Sequence, residues 1–190
     1  MTVPARRAVV IGASAGALEA LSVLLPALPA TFPLPIFVVV HVPADKPSVL
    51  ADIFSAKCRL RAIEAEDKEP VEPGVIYFAP PDYHMLLEDK LTIALSNEEA
   101  VLFSRPSIDV TLESAADVWG DGLIGIILTG ANQDGARGLK AIAQAGGTTI
   151  VQNPDTAYAR AMPEAATALC PGAQVMTLAD MSAYLWSISE

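Results

Sequence analysis

Short, unbroken apolar runs alternate along the chain with stretches whose apolar positions recur every three or four residues. Residues 7–11 and 35–40 are rich in Val and Ile and lack the alternation of a half-solvated strand, so each reads as a strand buried on both faces. Strands are also predicted at 123–128 and 148–152. Leu18, Leu21, Leu25 and Leu28 share one face of a predicted helix over residues 16–28. Further helices are expected at 47–58, where Pro47 suits a first turn, and at 107–119, 134–145, 163–169 and 180–187. This rhythm predicts a doubly wound α/β fold with a mostly parallel sheet and helices on both faces.

Residues 59–102 break the rhythm. Val75 to Phe78, Met85 to Leu87 and Leu91 to Leu95 are short apolar runs joined through Pro80-Pro81-Asp82 and Glu88-Asp89-Lys90, which are turn material. They predict antiparallel hairpins at one edge of the sheet. No repeat or long linker divides the sequence, so one domain over residues 1–190 is expected.

Composition narrows the classes. The chain has 190 residues, 52% of them hydrophobic and 18% charged, which excludes a disordered chain. A net charge of −10 argues against a nucleic-acid partner, whose phosphates require a basic face. The apolar runs are too short for a membrane span, so no direct insertion is expected. The first apolar run follows Arg6 and Arg7 but ends in a Gly/Ser turn, too soon for a signal peptide. Cys58 and Cys170 have no metal-ligand spacing and read as reduced thiols of a cytoplasmic protein. No metal or cofactor is expected.

Candidate chemistry lies at the carboxyl ends of strands, where open parallel sheets form their sites. The first strand ends in Gly12-Ala13-Ser14-Ala15-Gly16, the second in Val40-His41, and a later one leads through Leu128-Thr129-Gly130 to Asp134-Gly135. Serine needs a base to take its proton, histidine titrates in the right range, and a carboxylate can orient the imidazole. The first segment fits a G-x-S-x-G elbow. It is also compatible with a phosphate cradle, but it lacks the G-x-G-x-x-G spacing, and no G-K-[ST] follows. The order serine, acid, histidine would require His84 with Asp45, Asp52, Asp67 or Asp82, none at the end of a convincing buried strand. The order Ser14, His41, Asp134 puts every member at a strand end. Each also has a plainer reading: Ser14 and Asp134 as helix caps and His41 as a buried structural histidine. His84 and Asp109 read as structural, Asp109 in the first turn of its helix.

Taken together, these segments resemble the catalytic domain of the bacterial chemotaxis protein-glutamate methylesterases (CheB-type). The resemblance spans residues 8–185. It rests on Ile11-Gly12-Ala13-Ser14, His41 with Pro43, Glu64-Ala65-Glu66-Asp67, Pro73-Gly74 with Tyr77, Ala79-Pro80 and His84, Arg105-Pro106-Ser107-Ile108-Asp109-Val110, Leu128-Thr129-Gly130 with Asp134-Gly135, and Met162-Pro163. It implies a serine hydrolase that demethylates glutamate γ-methyl esters on chemoreceptor cytoplasmic helices and releases methanol, with glutamine deamidation as a second activity. It further implies a Ser14, His41 and Asp134 triad, oxyanion and pocket roles for Ala15, Ala131 and Met162, and functional pairing with a receptor methyltransferase.

Two segments depart from the family pattern. The elbow reads Ser14-Ala15-Gly16-Ala17 where S-T-G-G is usual, and Ala131-Asn132 stands where Met-Gly is usual. Asn132 is expected to tolerate a positive φ there. The receiver domain usual to the family is not seen ahead of residue 12, so control by phosphorylation is not expected from this chain. Arg105, Arg137 and Arg160 are candidates for a positive rim facing an acidic partner. A catalytically silent binding module and a nucleotide-binding domain are the competing functions.

Overall fold

The computed structural model describes residues 5–190; the reading of residues 1–4 lies outside that range. Seven parallel strands form the main sheet: β1 (Ala8–Ala13), β2 (Ile36–Val40), β3 (Arg61–Glu64), β4 (Val75–Phe78), β7 (Leu123–Ile127), β8 (Thr148–Gln152) and β9 (Gln174–Met176). Their spatial order is β3-β4-β2-β1-β7-β8-β9. The early strands lie on one side of β1 and the late strands on the other, so the chain reverses direction of growth beside β1. In doubly wound sheets the crevice opens at such a reversal.

Every residue of β1, β2, β4 and β7 is buried. Alternate side chains of these strands enter opposite cores. Val10, Phe37, Val39, Tyr77 and Ile127 face one core, completed by α3 (Ile108–Trp119), α4 (Ala136–Gln144) and α5 (Ala161–Leu169). Val9, Ile11, Val38, Phe78 and Ile126 face the other, completed by α1 (Ala17–Leu24), Phe54 of α2 (Leu50–Lys57) and Met181 and Leu185 of α6 (Leu178–Ser187). Burial on both faces explains why these runs are continuously apolar. Helix α1 stops four residues short of the expected end because Pro26 cannot continue it.

Residues 59–102 divide differently from the expectation. An antiparallel pair does form, from β5 (His84–Leu87) and β6 (Ile93–Ser96), as a separate two-stranded sheet. It packs against α3, where Leu87 accepts no strand partner on its outer side but donates its amide to Ser114 Oγ at 3.1 Å. Val75 to Phe78, by contrast, pair parallel with β2 and β3 inside the main sheet. Four consecutive buried residues suit a central strand better than a hairpin. The edge strands β3 and β9 are additions to the sequence reading.

Candidate functional site

Three loops meet at the carboxyl edge of β1, β2 and β7. After β1 the chain turns through Ser14 into α1, with Gly16 at φ +84°. A side chain at Gly16 would be strained by that φ, and its Cβ would stand 2.6 Å from Cβ of Tyr158. The turn is fixed from two sides. Ser14 donates its amide to Thr129 O (2.9 Å), and Thr129 Oγ1 donates to Ala15 O (2.8 Å). Gly12 allows the start of α3 to approach closely, since a Cβ there would run into Ile108.

His41 follows β2 and bonds Asp134 through Nε2, at 2.7 Å to Oδ2. The histidine side chain is 12% exposed and the aspartate fully buried. This leaves Nδ1 as the second imidazole nitrogen, and the ring and the Ser14 hydroxyl make no hydrogen bond to one another. The amides of Ala15 and Ala131 donate to no acceptor among the described residues. Met162 is buried beneath the loop after β7, where it donates its amide to Gly130 O (2.9 Å) and its side chain packs against Gly130.

Asp134 precedes α4 yet caps α3. It accepts the Ile108 amide on Oδ2 (2.7 Å), and the Asp109 amide (2.9 Å) and Ser107 hydroxyl (3.0 Å) on Oδ1. Burial pushes its pKa up, but the His41 hydrogen bond, these amides and the imidazole charge together bring it below the ordinary carboxylate value. Asp109 does the reverse: its Oδ1 accepts the amides of Gly135 (3.0 Å) and Gly138 (2.7 Å) at the start of α4. Burial pushes the Asp109 pKa up to about 6, and the nearby Asp134 charge adds to that rise against the two amides.

Asp109 is structural, as the sequence suggested, but its service to α4 and the Ser107 bond to Asp134 were not read from the sequence. The signal was the Ser-x-Asp pattern at a helix start, which marks an N-terminus but not whose helix the carboxylate serves. His84 belongs to the same support. Its Nδ1 accepts the Ser107 amide (3.1 Å), so Nε2 carries the proton donated to Glu99 O (2.9 Å). The tolerance of Asn132 for a positive φ is not called on, since it does not adopt one. Its Oδ1 instead accepts the Asp134 amide at 3.0 Å, closing a local turn that glycine could not make.

A cleft of about 300 Å³ opens beside His41, with Val42, Pro43, Phe103, Arg105 and Pro106 in its walls. The three arginines considered as a positive rim already face carboxylates: Arg105 meets Asp82, Arg137 meets Glu113, and Arg160 meets Asp155 and Glu164. Among the described residues no cluster of His, Cys, Asp or Glu is arranged to hold a metal, and no helix is long and apolar enough to cross a membrane.

A parallel sheet reversing beside β1, with a serine turn and a carboxylate-bound imidazole at its carboxyl edge, defines an α/β enzyme fold. A family model described as CheB methylesterase matches residues 9–185, and the chain belongs to that family. A relative from Leptospira interrogans is 48% identical over 159 residues, covering 84% of this chain and 82% of its own length. The protein-glutamate methylesterase/protein-glutamine glutaminase of Archaeoglobus fulgidus is 40% identical over 164 residues; the chain spans 47% of its length. The crystal structure of the Thermotoga maritima CheB methylesterase catalytic domain superposes with a TM-score of 0.92 at 33% identity, covering 96% of this chain and 98% of that one.

Proposed function

We propose that this protein hydrolyses glutamate γ-methyl esters on chemoreceptor cytoplasmic helices through a Ser14 nucleophile, with glutamine deamidation as a second activity of the same site. The observation that carries the reading is the 2.7 Å bond between His41 and Asp134 beside the Ser14 turn. A carboxylate on Nε2 fixes the tautomer and leaves Nδ1 to accept the serine proton. No hydrogen bond joins Oγ and Nδ1 in the free protein, and the proposed reaction requires one to form when substrate binds, as catalytic hydrogen bonds commonly do.

In the proposed reaction Ser14 Oγ adds to the ester carbonyl as His41 takes its proton. The oxyanion is held by the Ala15 and Ala131 amides, which sit at the elbow and the loop after β7, with the start of α1 adding positive potential. Collapse breaks the C–O bond, and His41 returns the proton to the departing methoxide, which leaves as methanol. Water, deprotonated by His41, then adds to the acyl-serine; the Oγ–C bond breaks, His41 returns the proton to Ser14 Oγ, and glutamate is freed. The substrate esters would be supplied by a receptor methyltransferase. Work in the cytoplasm fits that partner.

A fluorophosphonate probe and a methyl-esterified receptor cytoplasmic fragment test this together. Expected are one label per chain at Ser14, methanol release by the wild type, and loss of both in Ser14→Ala and His41→Ala. A wild-type protein that binds the fragment but takes no label and releases no methanol is a binding module, and the reading fails.

A further inference from the structure

The two most exposed large apolar side chains among the described residues are Phe103, at 104%, and Tyr158, at 84%. Both flank the candidate site. Phe103 stands in the wall of the cleft that His41 lines. Tyr158 lies against Gly16 of the serine turn, in a segment laced to the loop after β7 by Ala159 N to Thr129 Oγ1 (2.8 Å) and Gly130 N to Ala159 O (3.2 Å).

The backbone that carries Phe103 is unusual. Val101 and Ser104 pair through two hydrogen bonds (3.0 and 2.9 Å) around a two-residue turn, and Leu102 and Phe103 sit at φ +50° and +63°. Such a turn favours Asn-Gly, because left-handed backbone crowds a Cβ. Here it holds Leu-Phe, and the phenyl ring gains no packing in exchange. A local rule broken without a folding gain marks a functional position. Electrostatic capture is not on offer at this rim, since the net charge is −10 and the three nearby arginines already face carboxylates.

We propose that Phe103 and Tyr158 form an apolar clamp on the polypeptide that carries the esterified glutamate. The inference rests on the hydrolytic reading above and specifies its partner: a segment with apolar side chains on both sides of the reacting residue. Both aromatics are surface groups, so replacing them spares the core, and glycine at 103 relieves the turn.

The test compares the wild type with Phe103→Gly and Tyr158→Ser on two substrates, a methyl-esterified receptor cytoplasmic fragment and p-nitrophenyl acetate. The expected result is a rise in KM for the fragment of about tenfold per variant, as for a buried aromatic anchor, with kcat at saturation retained. The ratio of fragment to small-ester kcat/KM falls by the same factor, and the melting temperature of Phe103→Gly is not lowered. Fragment KM within about twofold of wild type in both variants overturns the clamp. Equal losses on both substrates also overturn it, since they place the aromatics in the reaction geometry rather than the grip. If the wild type hydrolyses neither substrate, the hydrolytic reading fails. Binding of the fragment to Ser14→Ala, with and without the Phe103 and Tyr158 changes, then still decides the clamp.

Discussion

Asp134 and Asp109 exchange helix N-termini: each carboxylate precedes or opens one helix and accepts the amides of the other. The carboxylate that holds His41 is therefore fixed by α3, and α3 is in turn locked to α4 by Asp109. Two buried carboxylates this close repel, and the donors divide that cost unequally. The His41 and amide hydrogen bonds hold the Asp134 pKa below the ordinary carboxylate value, while burial pushes that of Asp109 up to about 6.

Asp134→Asn should reduce ester turnover by about 10³-fold or more, because an amide NH₂ facing Nε2 or the α3 amides selects the wrong tautomer or loses the cap. Steady-state rates with the protein folded, checked by circular dichroism, measure it.

Ser107→Ala removes one donor from Asp134 Oδ1 and leaves the two amides in place. Hydrogen bonds to charged groups contribute about 1.5–3 kcal/mol, so denaturant unfolding should show a loss in that range. A loss of turnover without a change in fragment KM would accompany it.

Asp109 separates charge from capping. Asp109→Ala leaves the buried Gly135 and Gly138 amides without a partner and should cost about 2–4 kcal/mol. Asp109→Asn keeps an acceptor oxygen, removes the repulsion with Asp134 and should be far milder. The pH dependence follows from the raised pKa. Between about 4 and 6 the folded state binds a proton at Asp109 that the unfolded chain does not, so stability rises as pH falls through that window. Asp134, with its lowered pKa, acts in the opposite sense: its contribution is held above the unfolded value and lost as pH falls through the folded one. Unfolding curves from pH 7 to 4 should show the rise in the wild type and its loss in Asp109→Asn.

Gly16→Ala forces a Cβ onto left-handed backbone and toward Tyr158. A loss of about 1–2 kcal/mol in thermal unfolding is expected, with ester turnover falling more than stability because the serine turn itself moves.

Much of this arrangement is legible in the sequence. Unbroken Val/Ile runs revealed β1 and β2, and strand ends located Ser14, His41 and Asp134 at one edge. Arg61 to Glu64 and Gln174 to Met176 escaped notice because edge strands bury little and carry polar residues. Val75 to Phe78 carried the central-strand signal, four apolar residues without alternation, but the turns that follow drew it into the hairpin reading. The Asp109–Asp134 exchange depends on how two helix starts meet in space, which no local pattern encodes. Phe103 was invisible for the opposite reason: only its environment shows that the ring packs against nothing.

The sheet order also sets a temporal rule. β1 stands between β2 and β7, yet β7 is made last of the three. A ribosome thus releases the hydroxyl and the imidazole together, and their carboxylate only after the hairpin and α3 have emerged. Under the proposed reaction, a nascent chain is inert until its later portion docks. A backbone cut between β6 and α3 would divide the constellation between two fragments, making enzymatic complementation a direct assay of their reunion.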